Sequence, residues 1–193
     1  MTDELQKLFG SSARVKLLRL FLFNPRSSYT PQDAAKRARV EPDEAAREIG
    51  MFSRIGLLER AKRAGRGIRW GLASNFEYTA ALQNLLLNAP GRSRDIVARI
   101  RAAGAFKVVI LSGIFVGEWE GRLDIFLVGD RVNERKLREC IRGLEAEIGK
   151  EVRYALLTSE NFLYRLNMND KLVRDVLDYT HRIVLDRLAT GLK

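Results

Sequence analysis

The sequence predicts an α+β protein of two domains, a mainly helical domain over residues 1–88 and a small mixed-sheet α/β domain over residues 92–193. In the first part, apolar residues recur at helical spacing until two short extended segments follow. In the second part, the apolar runs FKVVILSG and RLDIFLVGD alternate with helical segments, which is typical of an α/β domain. The turn-forming triplet Ala89-Pro90-Gly91 is the predicted boundary.

The first domain is predicted to begin with three helices. The second helix has the clearest start, because Thr30 is a good N-cap residue and Pro31 suits the first turn. The third helix begins after Pro42 and ends at Gly56. Apolar residues spaced three and four apart give each helix a buried side. The three helices are predicted over residues 13–23, 31–38 and 43–55.

A cationic hairpin is predicted after the third helix. Two extended segments, residues 57–63 and 67–73, are joined by a glycine-containing connection, which favours a tight turn. The protein carries 34 Lys and Arg against 24 Asp and Glu, a net charge of +10. Residues 60–70 contain no acid, and a concentrated basic surface favours polyanionic partners. The basic residues of this segment are Arg60, Lys62, Arg63, Arg66 and Arg69.

Three helices followed by such a hairpin form the element order of a winged helix-turn-helix. The segment Phe52-x-x-Ile55-Gly56-Leu57-Leu58-Glu59-Arg60 resembles the passage from recognition helix to wing in regulators of the ArsR/MarR type. The resemblance implies double-stranded DNA as partner and a homodimer on two half-sites. It places the third helix in the major groove with Arg47 and Arg54, and the five basic residues of the hairpin on phosphates. A protein partner for this domain is the alternative.

A connecting helix is predicted over residues 75–88. Its apolar side chains suit either a dimer seam or packing against its own domain, and the sequence does not separate the two. The second domain then follows with a helix that ends near Gly104. Two buried strands come next, then a helix closed by Gly149, a third strand and a helical tail from Ser159. The three strands are predicted over residues 106–113, 122–130 and 151–157.

Strand, loop and second strand in this order resemble the core of the nucleotidyltransferase superfamily in its minimal form, over roughly residues 92–188. The family has Gly-Ser after the first strand and Asp-x-Asp on the second. Here Gly113 matches the glycine, but Ile114 replaces the serine. Asp124 matches the second acid, whereas Arg122 stands at the first. A third acid is expected near Arg153, where the nearest carboxylate is Glu151.

These departures bear on the metal that the resemblance implies. Nucleotidyl transfer uses two Mg²⁺ ions bridged by paired carboxylates, and a single aspartate beside an arginine does not supply that pair. An Arg122–Asp124 ion pair is expected instead, or an Arg122 that holds a phosphate directly. No catalytic residue, no metal and no other cofactor is expected. Three alternatives stay open: a metal site rescued by Glu118, Glu120 or Glu151; a nucleotide or small-ligand sensor; and a structural or dimerising domain. The sensor would bind its effector through Gly113, Arg122 and Asp124.

Cysteine and histidine content excludes several other functions. One cysteine, Cys140, and one histidine, His181, allow no internal disulfide and no Cys/His zinc cluster. Cys140 is predicted to be a small apolar filler on a helix and His181 a surface residue, while Trp119 is expected to plug the site or pack on a partner. No signal peptide and no membrane-spanning run are visible, so a cytoplasmic location without membrane contact is expected.

The sequence therefore predicts a DNA-binding transcriptional regulator, a winged helix-turn-helix joined to a nucleotidyltransferase-like domain that serves in ligand sensing or dimerisation. An active Mg²⁺-dependent nucleotidyltransferase acting on a protein, RNA or small molecule is one alternative. An antitoxin-like protein-interaction module is the other.

Overall fold

The computed structural model describes residues 4–61, 67–87, 92–118 and 121–191. It confirms a mixed α+β protein, with one three-stranded and one four-stranded sheet among these residues. Contacts within the chain define two compact units. Unit 1 contains Met1–Pro90 together with Gly143–Glu151, and unit 2 contains Gly91–Arg142 and Val152–Lys193. Gly143–Glu151 therefore belong with the first part of the chain, which the sequence did not predict.

Unit 1 contains the three predicted helices together with a short first helix and a short first strand that were not predicted. The second predicted helix has the same bounds in the structure, and the connecting helix begins four residues later than predicted. Its elements are α1 (Glu4–Phe9), α2 (Ser12–Leu22), β1 (Ser28–Tyr29), α3 (Pro31–Ala38), α4 (Pro42–Arg54), β2 (Leu58–Arg60), β3 (Trp70–Leu72) and α5 (Thr79–Leu87).

Local signals account for the starts of these helices. The Ser11 hydroxyl accepts a hydrogen bond from the Arg14 backbone N–H at 3.2 Å and caps α2. The Thr30 hydroxyl accepts from the Asp33 N–H at 3.1 Å and caps α3. Packing of the apolar helix faces then closes the core, where the largest fully buried apolar side chains include Leu17, Phe21, Ile49, Phe52 and Leu57.

The small sheet of unit 1 has the strand order β1-β3-β2, and both pairings are antiparallel. Gly71 of β3 lies between Ser28 on one side and Glu59 on the other. Strands β2 and β3 are the two arms of the predicted hairpin. Its tip, with Lys62, Arg63 and Arg66, lies outside the described residues.

Unit 2 alternates helices and strands as predicted, except at the end of the chain. Helix α7 (Glu134–Ile148) begins in unit 2, and its last residues, from Gly143 onward, belong to unit 1. Short 3₁₀ turns occur at Arg101–Ala103 and Gly113–Phe115. The elements are α6 (Arg92–Ile100), β4 (Val108–Leu111), β5 (Ile125–Val128), α7 (Glu134–Ile148), β6 (Tyr154–Leu157), α8 (Ser159–Asn167), α9 (Lys171–Leu177) and β7 (Arg182–Asp186).

The sheet of unit 2 is mixed, with the order β6-β5-β4-β7. Strand β4 is antiparallel to β5 and to β7, whereas β5 and β6 are parallel. The prediction of a helical tail was wrong for its last part, because Arg182–Asp186 form β7 along the edge of β4. The core under this sheet consists of Val108, Ile110, Phe126, Val128, Phe162, Val173 and Val176.

The segment that closes unit 1 is anchored on α2. Arg19 is only 2% exposed, and its Nη1 donates to the Glu147 carbonyl at 3.1 Å in the last turn of α7. The Asn24 side-chain amide donates to the Gly149 carbonyl and, at 2.8 Å, to the Leu20 carbonyl. The bonds to Glu147 and Gly149 satisfy carbonyl groups at the end of α7 that lack helical partners. Over the described ranges, no helix is both long and apolar enough to span a bilayer.

Candidate functional site

The exposed side of α4 carries two arginines. Arg47 and Arg54 are both exposed and lie seven residues apart, which is two helical turns and places them on one face. The opposite face is buried through Ala45, Ile49 and Phe52. α4 is also tied to α2, because Arg14 donates to the Glu48 carboxylate at 2.8 and 3.1 Å. The structure therefore presents the two predicted arginines together on a firmly held helix.

The two hairpin arginines within the described residues have different surroundings. Arg60 is exposed at the end of β2, and its guanidinium lies over the Trp70 ring at 5.7 Å. Arg69 instead forms an ion pair with Asp33 at 3.1 Å and donates to the Ser28 hydroxyl and carbonyl. Hydrogen bonding with Thr30, first through its side chain and then through the backbone, lowers the pKa of Asp33 below its ordinary value, and the Arg69 guanidinium adds to this effect. Arg69 thus links β3 to β1 and α3 in this structure.

A cationic segment at the end of α3 was not among the residues that the sequence predicted to bind DNA. Lys36, Arg37 and Arg39 are all exposed at the end of α3 and in the turn before α4. The Arg37 guanidinium lies 5.5 Å from the centre of the Tyr29 ring. The sequence Lys-Arg-Ala-Arg at residues 36–39 is the feature from which this cationic segment could have been predicted. These exposed cations belong to the same unit as Arg47 and Arg54.

In unit 2, Asp124 lies immediately before β5 and is completely buried. Its carboxylate accepts four hydrogen bonds. The Ile114 backbone N–H donates at 3.0 Å, and Arg153 donates through its backbone N–H at 2.8 Å and through Nε and Nη2 at 3.0 Å each. The guanidinium therefore grips the carboxylate in the bidentate manner that gives strong, directional pairs.

The expected Arg122–Asp124 pair was wrong. Arg122 pairs with Asp175 at 3.0 Å, and its side chain is 73% exposed. Asp124 is completely buried, and Arg153, immediately before the neighbouring strand β6, reaches both of its carboxylate oxygens. The structure therefore brings Asp124 together with Arg153, while Arg122 lies outside this cluster.

The backbone of Gly113 lies directly against the Asp124 carboxylate. Its φ of +53° lies in the left-handed region that favours glycine. A Cβ at this position would collide with the Asp124 carboxylate and would lie 2.7 Å from the Leu123 carbonyl oxygen. The Ser112 hydroxyl donates to that same carbonyl at 2.8 Å. The glycine that the family resemblance singled out is thus required by close contact with Asp124.

The residues around Asp124 do not fit a magnesium ion. A carboxylate has about four lone-pair sites, and here N–H donors take all four. Glu118 is half-buried and Glu151 is exposed, while Glu120 and Trp119 lie outside the described residues. Among the described side chains, no group of three or more His, Cys, Asp or Glu has the placement to hold a metal. Arg153 already supplies the positive charge that the buried carboxylate requires.

A second charged cluster, missed by sequence reasoning, joins the ends of three elements of unit 2. Asp130 accepts from Lys107 at 2.7 Å, from the Ser159 backbone N–H at 2.7 Å and from the Ser159 hydroxyl at 2.9 Å. The Lys107 ammonium, followed by the Ser159 donors, lowers the pKa of Asp130 to about 2. A carboxylate with so low a pKa is a weak proton acceptor near neutral pH, so this cluster suits a structural role.

The remaining candidates have ordinary surroundings. Cys140 is half-buried rather than fully buried, and its thiol lies 3.4 Å from the Arg99 carbonyl oxygen. His181 is half-buried and its Nδ1 lies 2.8 Å from the Tyr179 carbonyl oxygen. The functional assignment therefore depends on the basic surface of unit 1 and the Asp124 cluster of unit 2. The chain matches no protein-family model, no curated protein and no solved structure.

Proposed function

We propose that the protein is a transcriptional regulator that binds double-stranded DNA through unit 1, acting as a winged helix-turn-helix. The observation that carries the proposal is the pair Arg47 and Arg54, exposed on one face of α4 and followed along the chain by a hairpin with an acid-free cationic segment. A helix of this kind fits the major groove, and a cationic hairpin reaches phosphates beside it.

Each basic residue has a role in this mechanism. Arg47 and Arg54 approach base edges or phosphates from α4, whereas Arg60, Lys62, Arg63 and Arg66 neutralise phosphates from the hairpin. Arg69 acts indirectly, because its bonds to Asp33 and Ser28 hold β3 against the start of α3. A homodimer would bind two half-sites about 34–36 Å apart, as helix-turn-helix geometry requires.

We assign unit 2 a non-catalytic role, in dimerisation or in binding a nucleotide or small-molecule effector. The four hydrogen bonds to the Asp124 carboxylate support this assignment, because they occupy the lone pairs that a metal ion would need. Magnesium-dependent transfer of a labelled nucleotide, abolished by Asp124→Asn, would contradict it and favour the enzyme alternative.

The DNA proposal is tested by the salt dependence of binding. For duplex DNA, the slope of log affinity against log salt is about −0.9 for each phosphate neutralised. We expect the full chain to bind a mixed-sequence duplex of about 30 base pairs, long enough for two half-sites one helical turn apart. The variant Arg47→Ala/Arg54→Ala should weaken binding and flatten the slope by up to about two units, as should Arg63→Ala/Arg66→Ala. Fluorescence anisotropy at four or more salt concentrations measures this slope.

Arg135→Ala/Arg138→Ala is the matched control, because it also removes two positive charges, at exposed i,i+4 pairs with Glu139 and Glu134 in unit 2. Its slope should equal that of the wild type. If the wild type binds no duplex DNA at low salt, the proposed function is wrong. If binding occurs but neither double variant changes the slope, unit 1 is not the interface.

A further inference from the structure

Gly50 occupies the middle of α4, on the face that carries Arg47 and Arg54. It is partly exposed, three residues after the first arginine and four before the second. Glycine is among the poorest helix formers, so its presence in the interior of a helix calls for a reason. Close packing, an unusual backbone angle and a close external partner are the three reasons that physical chemistry offers.

Neither close packing nor an unusual backbone angle explains a glycine at residue 50. Gly50 has no positive φ. A Cβ at Gly50 would lie 3.9 Å from Nη1 of Arg54, an ordinary van der Waals distance, and within 4 Å of no other described atom outside its own helix. Gly113 and Gly149 differ, since a Cβ at either would collide with neighbouring atoms. Alanine would therefore fit at residue 50 and form a better helix.

We infer that Gly50 keeps the α4 surface flat so that its backbone can approach the edge of a base pair, which makes it a specificity-determining residue. This inference rests on the proposed DNA-binding function. Arg47 and Arg54 are separated by about 10.5 Å along the helix axis, or roughly three base-pair steps. Gly50 lies between them, where a side chain would hold the helix backbone away from the base edges while the longer arginine side chains keep their own contacts. Close approach of backbone to a ligand is a recurrent use of glycine.

The test compares Gly50→Ala and Gly50→Leu with the wild type in the full chain. The probe is the duplex that wild-type protein enriches from a random-sequence DNA library. Both substitutions introduce better helix formers, so the thermal midpoint should stay level or rise, by about 2 °C for Ala. Affinity for the enriched duplex should fall severalfold for Ala and about tenfold or more for Leu, comparable to losing one good base contact. The salt slope should not change, because no phosphate contact is lost.

Gly143→Ala is the matched control. Gly143 lies inside α7, and a Cβ there would be 3.6 Å from Nη1 of Arg39, so the chemical change and the arginine neighbour are alike. Its affinity for the enriched duplex should equal that of the wild type.

Four results would overturn the inference. The first is unchanged affinity in both Gly50 variants while Arg47→Ala/Arg54→Ala weakens binding, which leaves the proposed function intact. The second is a loss of affinity that accompanies a lowered thermal midpoint in Gly50→Ala. The third is a wild type that binds DNA but enriches no sequence. The fourth is a wild type that binds no DNA, which refutes the proposed function as well.

Discussion

At the scale of single residues, Asp124 and Arg153 illustrate how a buried charge is accommodated. A carboxylate that is fully removed from water is costly unless every lone pair finds a donor, and Arg153 supplies three of the four donors here. Arg153 keeps part of its own side chain in water, at 38% exposure. The pair joins the start of β5 to the start of β6, which runs parallel to it.

Asp124→Asn should lower the free energy of unfolding by about 3 kcal/mol, because it breaks a buried pair from one side. Urea denaturation followed by circular dichroism measures the change. Arg153→Met should have a similar effect, and the double variant should cost less than the sum of the two, because the partners act as one unit. Strict additivity would show that the pair is not coupled. Arg122→Met is the control and should cost under about 1 kcal/mol, since its ion pair is exposed.

Asp130 gives a pH-dependent prediction. Its folded pKa of about 2 lies below the ordinary value of 3.8, so its bonds to Lys107 and Ser159 stabilise the fold above pH 4. That stabilisation is lost as the pH falls through about 2. Asp130→Asn should therefore lower the thermal midpoint at pH 7, and the gap from wild type should narrow between pH 4 and pH 2. A gap that stays constant down to pH 2 would show that the carboxylate charge is not responsible.

Sequence reasoning found Asp124 but assigned it the wrong partner. Arg122 is two residues away in sequence and Arg153 is 29 residues away, and only the parallel pairing of β5 with β6 brings the latter close. The exposure of Arg47 and Arg54, in contrast, follows from helical spacing alone. Residues placed by local periodicity could be predicted, whereas residues placed by strand pairing could not.

At the scale of elements, α3 is determined by its local sequence, whereas β7 is determined by pairing with a distant strand. The bounds of α3 were predicted because Thr30 and Pro31 mark its start within the local sequence. The segment RIVLD of β7 carries no such mark, and it becomes a strand by pairing with β4, more than seventy residues earlier in the chain. The predicted helical tail was therefore wrongly continued through the residues that form β7.

Gly149→Ala tests the contact between the end of α7 and α2. Gly149 has a φ of +78°, and a Cβ there would lie 2.5 Å from Arg19 C and from Leu20 N, both backbone atoms. We expect a loss of about 2–4 kcal/mol in the free energy of unfolding, from backbone strain and from overpacking. Gly56→Ala is the control, because Gly56 has a φ of +79° and open space around it, so only about 1 kcal/mol of strain applies. Equal losses in chemical denaturation would rule out the α2 contact as the cause.

At the scale of the whole molecule, unit 1 is built from two separate parts of the chain. Pro90 and Gly91 interrupt the helical pattern of the sequence, and the two units divide between these residues. The return of Gly143–Glu151 could not be predicted, because the apolar spacing of α7 is continuous across the point where the units divide. Among the described residues, the bonds from Arg19 to Glu147 and from Asn24 to Gly149, with the close approach of Gly149 to α2, link this end of α7 to unit 1.

This arrangement affects how the protein is made. Chains leave the ribosome from their N-terminus at about 5–20 residues per second, and N-terminal domains usually fold first. Because Gly143–Glu151 follow the first ninety residues in the chain, we expect unit 1 to gain its full set of contacts only about 3–12 s after residue 90 has been added at that speed. Until then the guanidinium of Arg19 lacks the Glu147 carbonyl that it meets in the finished fold. We therefore expect unit 1 to become resistant to proteolysis on the ribosome only in nascent chains that already expose Gly143–Glu151.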